Sequence, residues 1–191
     1  MKKIVFLIGH IGSDSDKLLK ILNDNPRIQM SDQGRTYTHP TDLNYLIAYT
    51  QHKLDNSAAI YGDHLLYNTQ FSCEAIHSMC KFIYLIREAK PSLNENQVHS
   101  THSVSAYYRF RLRRIYEMAR KTPDSVFLTW DDLQSGAAFP ILEQFLSLKE
   151  PLARAEDFVK SVRDRLPHTV VDPAQDAYEK YLYKLKNIKK E

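Results

Sequence analysis

At 191 residues, with 43% apolar and 26% charged side chains, the chain has room for one sizeable core and the composition of an ordinary globular protein. A net charge of +3 is too small to argue for a nucleic-acid partner, and no run approaches the roughly 18 apolar residues of a membrane span. The two cysteines, Cys73 and Cys80, form no CxxC pair, so they point to neither a zinc site nor a disulfide framework.

The chain opens on two lysines and a short apolar run, which superficially looks like a secretory leader. The run is only about six residues long and no A-x-A cleavage pattern follows, so Ile4–Ile8 reads as the first core strand of a cytoplasmic protein. Gly9–Asp16 is then a loop of Gly, Ser and Asp, and Leu18, Leu19, Ile21 and Leu22 begin a helical pattern. Residues 25–42, with Pro26, Gly34 and Pro40, read as a long connection. Helical patterns at Leu43–Leu54 and Thr69–Met79 alternate with apolar runs at Ala58–Tyr61 and Phe82–Ile86. The longest helical pattern is Ser103–Lys121, where Val104, Tyr108, Leu112, Ile115 and Ala119 recur at helical spacing; Val126–Thr129 is a fourth apolar run. Helical patterns at Pro140–Leu148, Ala153–Arg165 and Pro173–Ile188 complete the chain, the last with Asp172-Pro173 as cap and first turn.

Unbroken apolar strands separated by helices predict an α/β fold: a central parallel sheet of about four to five strands flanked by helices. One domain over 1–191 is expected, with a core at 1–150 and a helical C-terminal extension at 151–191.

Strand, small-residue loop and helix is the layout that aims backbone N–H groups and a helix N-terminus at a phosphate or sulfate. Yet no lysine or arginine lies between Gly9 and Asp16. Counted as a Walker-A loop, the segment puts Asp14 where the second glycine belongs and Ser15 where the lysine belongs. Helix capping is the competing explanation, because Ser13, Asp14 and Ser15 are favoured N-caps and Asp16 suits a first turn. Arg87, at the end of a central strand, is placed to grip an anion or to form an ion pair. Arg109, Arg113 and Arg120 share one face of the long helix. His99 and His102 stand at i, i+3, with nothing nearby to complete a metal set. Tyr37, Tyr45 and Tyr67 are candidates to line a ligand pocket.

Four segments in order resemble the sulfotransferase family. Gly9 to Pro26 is similar to the 5′-phosphosulfate loop, G-x-P-R-S-G-[TS]-T-L-L-x-x-L-L-x-x-H-P, at Gly9, Ser13, Ser15, Leu18, Ile21, Leu22 and Pro26. Tyr61-Gly62-Asp63-His64 looks like y-G-[DE]-K-T-P. Lys81 to Ala89 is similar to K-F-I-x-L-x-R-[DN]-P, and Val126 to Gln134, followed by Phe139 to Leu148, looks like the family's strand, E-D-L turn and helix. The resemblance covers about residues 3 to 150.

It implies a P-loop-like sulfotransferase architecture and transfer of a sulfuryl group from 3′-phosphoadenosine 5′-phosphosulfate to a hydroxyl or amine. The donor is a co-substrate, and no metal is implied. Gly12, Ser13, Asp14, Ser15 and Asp16 would supply the cradle, with serine hydroxyls as extra donors. Arg87 would hold the 3′-phosphate, with Asn94 and Ser92 nearby. His64 would take the acceptor's proton, and His10, if protonated, would replace the missing loop cation. The implied partner is a small-molecule or glycan acceptor, with no nucleic acid or membrane.

The chain departs from the family at Gly12, in place of the basic loop residue, and at Asp14 and Asp16, in place of glycine and threonine. The family's serine falls on Glu95 and its proline on Ala89. Two carboxylates beside a dianion oppose binding unless they point outward or are neutralised. A silent sulfotransferase-like protein that binds a nucleotide or partner is therefore the first alternative, and a P-loop-type small-molecule kinase the second.

Overall fold

The computed structural model describes residues 3–32, 60–65, 80–94, 101–153 and 168–188. Lys3–Ile8 forms β1, and Val5, Phe6, Leu7 and Ile8 are all fully buried. Each such side chain contributes about 1.5–3 kcal/mol of burial, so β1 is driven to the centre of the sheet. It pairs in parallel with β3 (Ile60–Leu65) on one side and β4 (Lys81–Ile86) on the other. β2 (Ile28–Asp32) and β5 (Ser125–Thr129) are the edges, giving a five-stranded parallel sheet in the order β2-β3-β1-β4-β5.

Among the described residues the helices are α1 (Ser15–Asn23), α2 (Ala89–Asn94), α3 (Thr101–Lys121), α4 (Trp130–Ser135), α5 (Ala138–Leu146) and α6 (His168–Lys186). Strand residues alternate between two cores. Phe6, Ile8, Phe82, Tyr84 and Ile86 pack under α3 and α6 against Tyr108, Leu112, Ile115, Ala174 and Tyr178. Val5, Leu7, Ile83, Leu85 and Leu128 face the other way, onto α1, α4 and α5 through Leu18, Leu22, Trp130, Phe139 and Leu142. Helix thus covers both faces, as continuous apolar strands require.

β1 leaves through α1 toward β2, whereas β4 leaves through α2 and α3 toward β5. Right-handed crossovers in opposite directions put α1 and α3 on opposite faces. A crevice opens where the two paths diverge, at the C-terminal ends of β1 and β4.

Several boundaries differ from expectation. The expected connection at 25–42 contains β2, whose Ile28 and Met30 are buried while Gln29 is exposed. The strand expected at Ala58–Tyr61 is described as Ile60–Leu65 and runs through Gly62. A Cβ on that glycine would collide with the Val5 carbonyl, so it is a site of close strand packing. α6 begins at His168 with Pro173 inside it, so Asp172-Pro173 is not its start. The patterns at Leu43–Leu54 and Thr69–Met79, and that at Ala153–Arg165 apart from Ala153, lie outside the described residues. Among the described residues no helix is long and apolar enough to cross a membrane.

Candidate functional site: the crevice between β1 and β4

The loop after β1 is folded by its glycines and closed by its own serines. Gly12 has φ 78°, the left-handed region that glycine adopts freely, and a Cβ there would meet the Ser92 carbonyl at 2.6 Å. A Cβ on Gly9 would strike the Ser15 hydroxyl. The Ser13 N–H donates to the His10 carbonyl at 3.0 Å, and the His10 N–H donates to Ser13 Oγ at 3.2 Å. Ser13 Oγ then donates to Ser15 Oγ at 3.1 Å, and Ser15 Oγ lies 2.7 Å from His64 Nε2. Ser13, Ser15 and His64 are 0%, 1% and 1% exposed. Both serine hydroxyls are thus engaged in hydrogen bonds within the loop and to His64. His64, at the end of β3, is buried with its Nε2 on the Ser15 hydroxyl, a contact that positions Ser15.

Asp14 sits at the N-cap position of α1 with φ 59° and ψ 24°, yet its side chain does not cap the helix. Asp14 Oδ2 instead lies 3.1 Å from an Arg87 terminal nitrogen and accepts the Trp130 indole N–H at 2.8 Å. Lys17 lies 3.5 Å from Asp14 Oδ1. The same Arg87 nitrogen donates to the Gly12 carbonyl at 3.1 Å, and the guanidinium stacks over the Trp130 ring at 4.6 Å. Ser92 Oγ, on α2, is 3.3 Å from the Gly12 carbonyl and donates to the Glu88 carbonyl at 2.7 Å. Of the two loop carboxylates, Asp14 is thus neutralised internally, whereas Asp16 points to solvent.

A second buried cation reaches the loop from α3. Arg111 donates from two nitrogens to the Gly9 carbonyl, at 3.0 and 2.9 Å. Burial pushes its guanidinium down to about 10, so it remains charged at neutral pH. Between the two arginines lies His10. Its Nδ1 is 2.9 Å from the Ile11 carbonyl, and its Nε2 accepts the Arg87 N–H at 3.0 Å. A carbonyl only accepts and a backbone N–H only donates, so the ring is the neutral Nδ1–H tautomer. Burial above all, with the charges of Arg111 and Arg87, pushes His10 from 6.5 down to about 4. The expectation that a protonated His10 replaces the loop cation is corrected; Arg87 and Arg111 carry the charge. Tyr108 completes the packing, edge-on to His10 at 5.0 Å and donating to the Arg87 carbonyl at 2.6 Å.

The structure thus gathers Gly12, Ser13, Asp14, Ser15, His10, His64 and Arg87, while Asp16 faces away. The side chain of Asn94, together with Glu95, His99, Tyr37, Tyr45 and Tyr67, lies outside the described residues, as does the side chain of His102. Arg109 is exposed, and Arg113, also exposed, is bonded to Glu117 at 2.8 Å. Arg111, which sequence reasoning missed, occupies the apolar stripe of α3 one turn from Tyr108 and Ile115. An arginine in that register was the available signal. Trp130 left none, since an aromatic after a strand reads as core. Asp132 serves the capping box of α4 with Thr129. Beside Arg87 a cleft is lined by Glu88, Pro91, Trp130, Asp131 and Tyr178. Among the described residues no cluster of three or more His, Cys, Asp or Glu is placed to hold a metal.

No protein-family model matches the sequence, and no curated protein does. In three dimensions the chain is similar to the crystal structure of mouse sulfotransferase SULT7A1 complexed with PAP, at a TM-score of 0.52 and 10% sequence identity. The match covers 95% of this chain and 66% of that one, so this chain spans just under two thirds of its neighbour's length. At that identity the likeness speaks to architecture alone: the chain has a sulfotransferase-like α/β fold, with a parallel sheet flanked by helices.

Proposed function

We propose that the protein binds 3′-phosphoadenosine 5′-phosphosulfate in the crevice between β1 and β4 and passes its sulfuryl group to a hydroxyl or amine of a small-molecule or glycan acceptor. The observation that carries this reading is the convergence of two buried guanidinium groups, Arg87 and Arg111, on the Gly9 and Gly12 carbonyls beside an α1 N-terminus that no side chain caps. Buried positive charge and orphan helix N–H groups at one point suit an anionic ester. In the transfer, a bond forms between the acceptor oxygen or nitrogen and sulfur while the bond from sulfur to the bridging oxygen breaks. The acceptor's proton passes to solvent water, and the 3′,5′-bisphosphate departs with the bond's electrons. Backbone N–H groups of the loop would absorb charge on the departing phosphate, with Arg87 holding the 3′-phosphate.

The test is calorimetric titration of 3′-phosphoadenosine 5′-phosphate into the native chain and into Arg87→Ala, with circular dichroism to verify folding. Saturable binding that Arg87→Ala weakens at least about tenfold is expected, the scale of one lost charge-assisted hydrogen bond. Absence of saturable binding to the native chain would remove the reading.

A specific observation favours a second reading, a silent nucleotide- or partner-binding protein: Asp14 already pairs with Arg87, and His64 is buried on Ser15. Nucleotide binding without transfer from labelled donor to any acceptor in a panel of phenols, amines and sugars would select it. A kinase is disfavoured, because Ser15 stands where the loop lysine belongs and Asp132 is engaged in a helix cap.

A further inference from the structure

We infer that Arg87 and Trp130 form an oxyanion site which the chain fills from within, the Asp14 carboxylate standing where one end of a sulfate or phosphate ester binds. The inference rests on the nucleotide-binding reading above and adds an internal competitor to it. The Asp14 carboxylate is held as a bound anion would be held. One oxygen takes a guanidinium contact at 3.1 Å and an indole N–H at 2.8 Å, and the other lies 3.5 Å from the Lys17 ammonium. The guanidinium is itself fixed, stacked on Trp130 at 4.6 Å and tied to the Gly12 carbonyl at 3.1 Å. Both donors therefore persist when the carboxylate leaves. Asp14 is also the residue best placed to leave. It is at the mouth of the loop, 9% exposed against 1% for Arg87, and does not cap α1. An incoming ester would exchange one anion for another on the same donors, while Asp14 moves toward Lys17 and solvent. The carboxylate keeps Arg87 compensated in the absence of ligand and sets a threshold that weak anions do not cross.

The sequence supplies its own probe, because Trp130 is the sole tryptophan and it donates directly to Asp14. Trp130 emission would be followed while sodium sulfate, at constant ionic strength, is titrated into the native chain and into Asp14→Asn. Asn tolerates the left-handed backbone and removes the charge. We expect sulfate to bind Asp14→Asn at least about tenfold more tightly than the native chain, and the added substitution Arg87→Met to abolish that gain. Equal sulfate affinity in native and Asp14→Asn chains would overturn the inference. Asp14→Gly, which suits the same backbone angles, is a second variant should Asp14→Asn fold poorly. Repeating the titration with 3′-phosphoadenosine 5′-phosphate separates the two claims. Tighter sulfate binding with no nucleotide binding in any variant keeps the internal competitor and removes the nucleotide reading. Nucleotide binding of equal strength in native and Asp14→Asn chains does the reverse.

Discussion

At the scale of single residues, the site is governed by charge taken out of water. His10 illustrates it: two hydrogen bonds fix its neutral form and two buried arginines oppose its protonation. The unfolded chain binds this proton near pH 6.5 and the folded chain only near 4. Between those values the unfolded state holds more protons, so stability is full above about 6.5 and falls as pH drops toward 4. The expected loss across that window is on the order of 3 kcal/mol from this residue. Urea unfolding at pH 7 and pH 4.5 should show it, and His10→Gln, which has no proton to gain, should flatten the dependence; an equally steep fall in that variant would dissociate His10 from the effect. Cys80 carries no comparable chemistry, since burial pushes its thiol up to about 12 and leaves it an inert core group.

At the scale of elements, the site depends on how strands end. β5 runs into α4 through a capping box, in which Thr129 Oγ1 accepts the Asp132 N–H at 3.2 Å and the Thr129 N–H donates to Asp132 at 2.7 Å. That junction aims Trp130 back across the sheet edge at Asp14. Thr129→Ala is expected to cost about 1 kcal/mol, read as a lower urea midpoint. Because the cap orients Trp130, its emission should also shift in the folded protein; a stability loss with unchanged emission would show that the cap does not position the indole. β3 contributes in another way: Gly62 lets it approach β1 closely enough for His64 to reach Ser15. Only a position in the interior of the sheet explains a strand running through Tyr-Gly-Asp-His, because backbone pairing on both sides overrides the turn preference of Gly-Asp.

At the scale of the whole molecule, the two faces of the sheet are sealed by different parts of the chain. α6 is part of the main core: Val171, Ala174, Tyr178 and Leu185 lie with Leu112 and Ile115 over β1 and β4. Leu112→Ala is expected to lower stability by about 2–5 kcal/mol through the cavity left. Tyr183→Ala, at 71% exposure, should change it by less than about 0.5 kcal/mol. Similar urea midpoints for the two variants would contradict this assignment of the core. The sequence by itself determined the parallel α/β architecture, because unbroken runs such as Ile4–Ile8 and Phe82–Ile86 have no stable place except between two helical layers. It also determined that the segment after β1 is a small-residue loop and that Arg87 ends a central strand. Only the tertiary structure decided what those residues do. Asp14 and Arg87, far apart in the chain, meet because β1 and β4 are neighbours whose connections diverge, and Arg111 reaches Gly9 because α3 lies across the end of β1. Local preference alone reads Ser13, Asp14 and Ser15 as helix caps. Burying a guanidinium requires partners from wherever the fold can bring them, and that requirement drew Asp14 away from its helix.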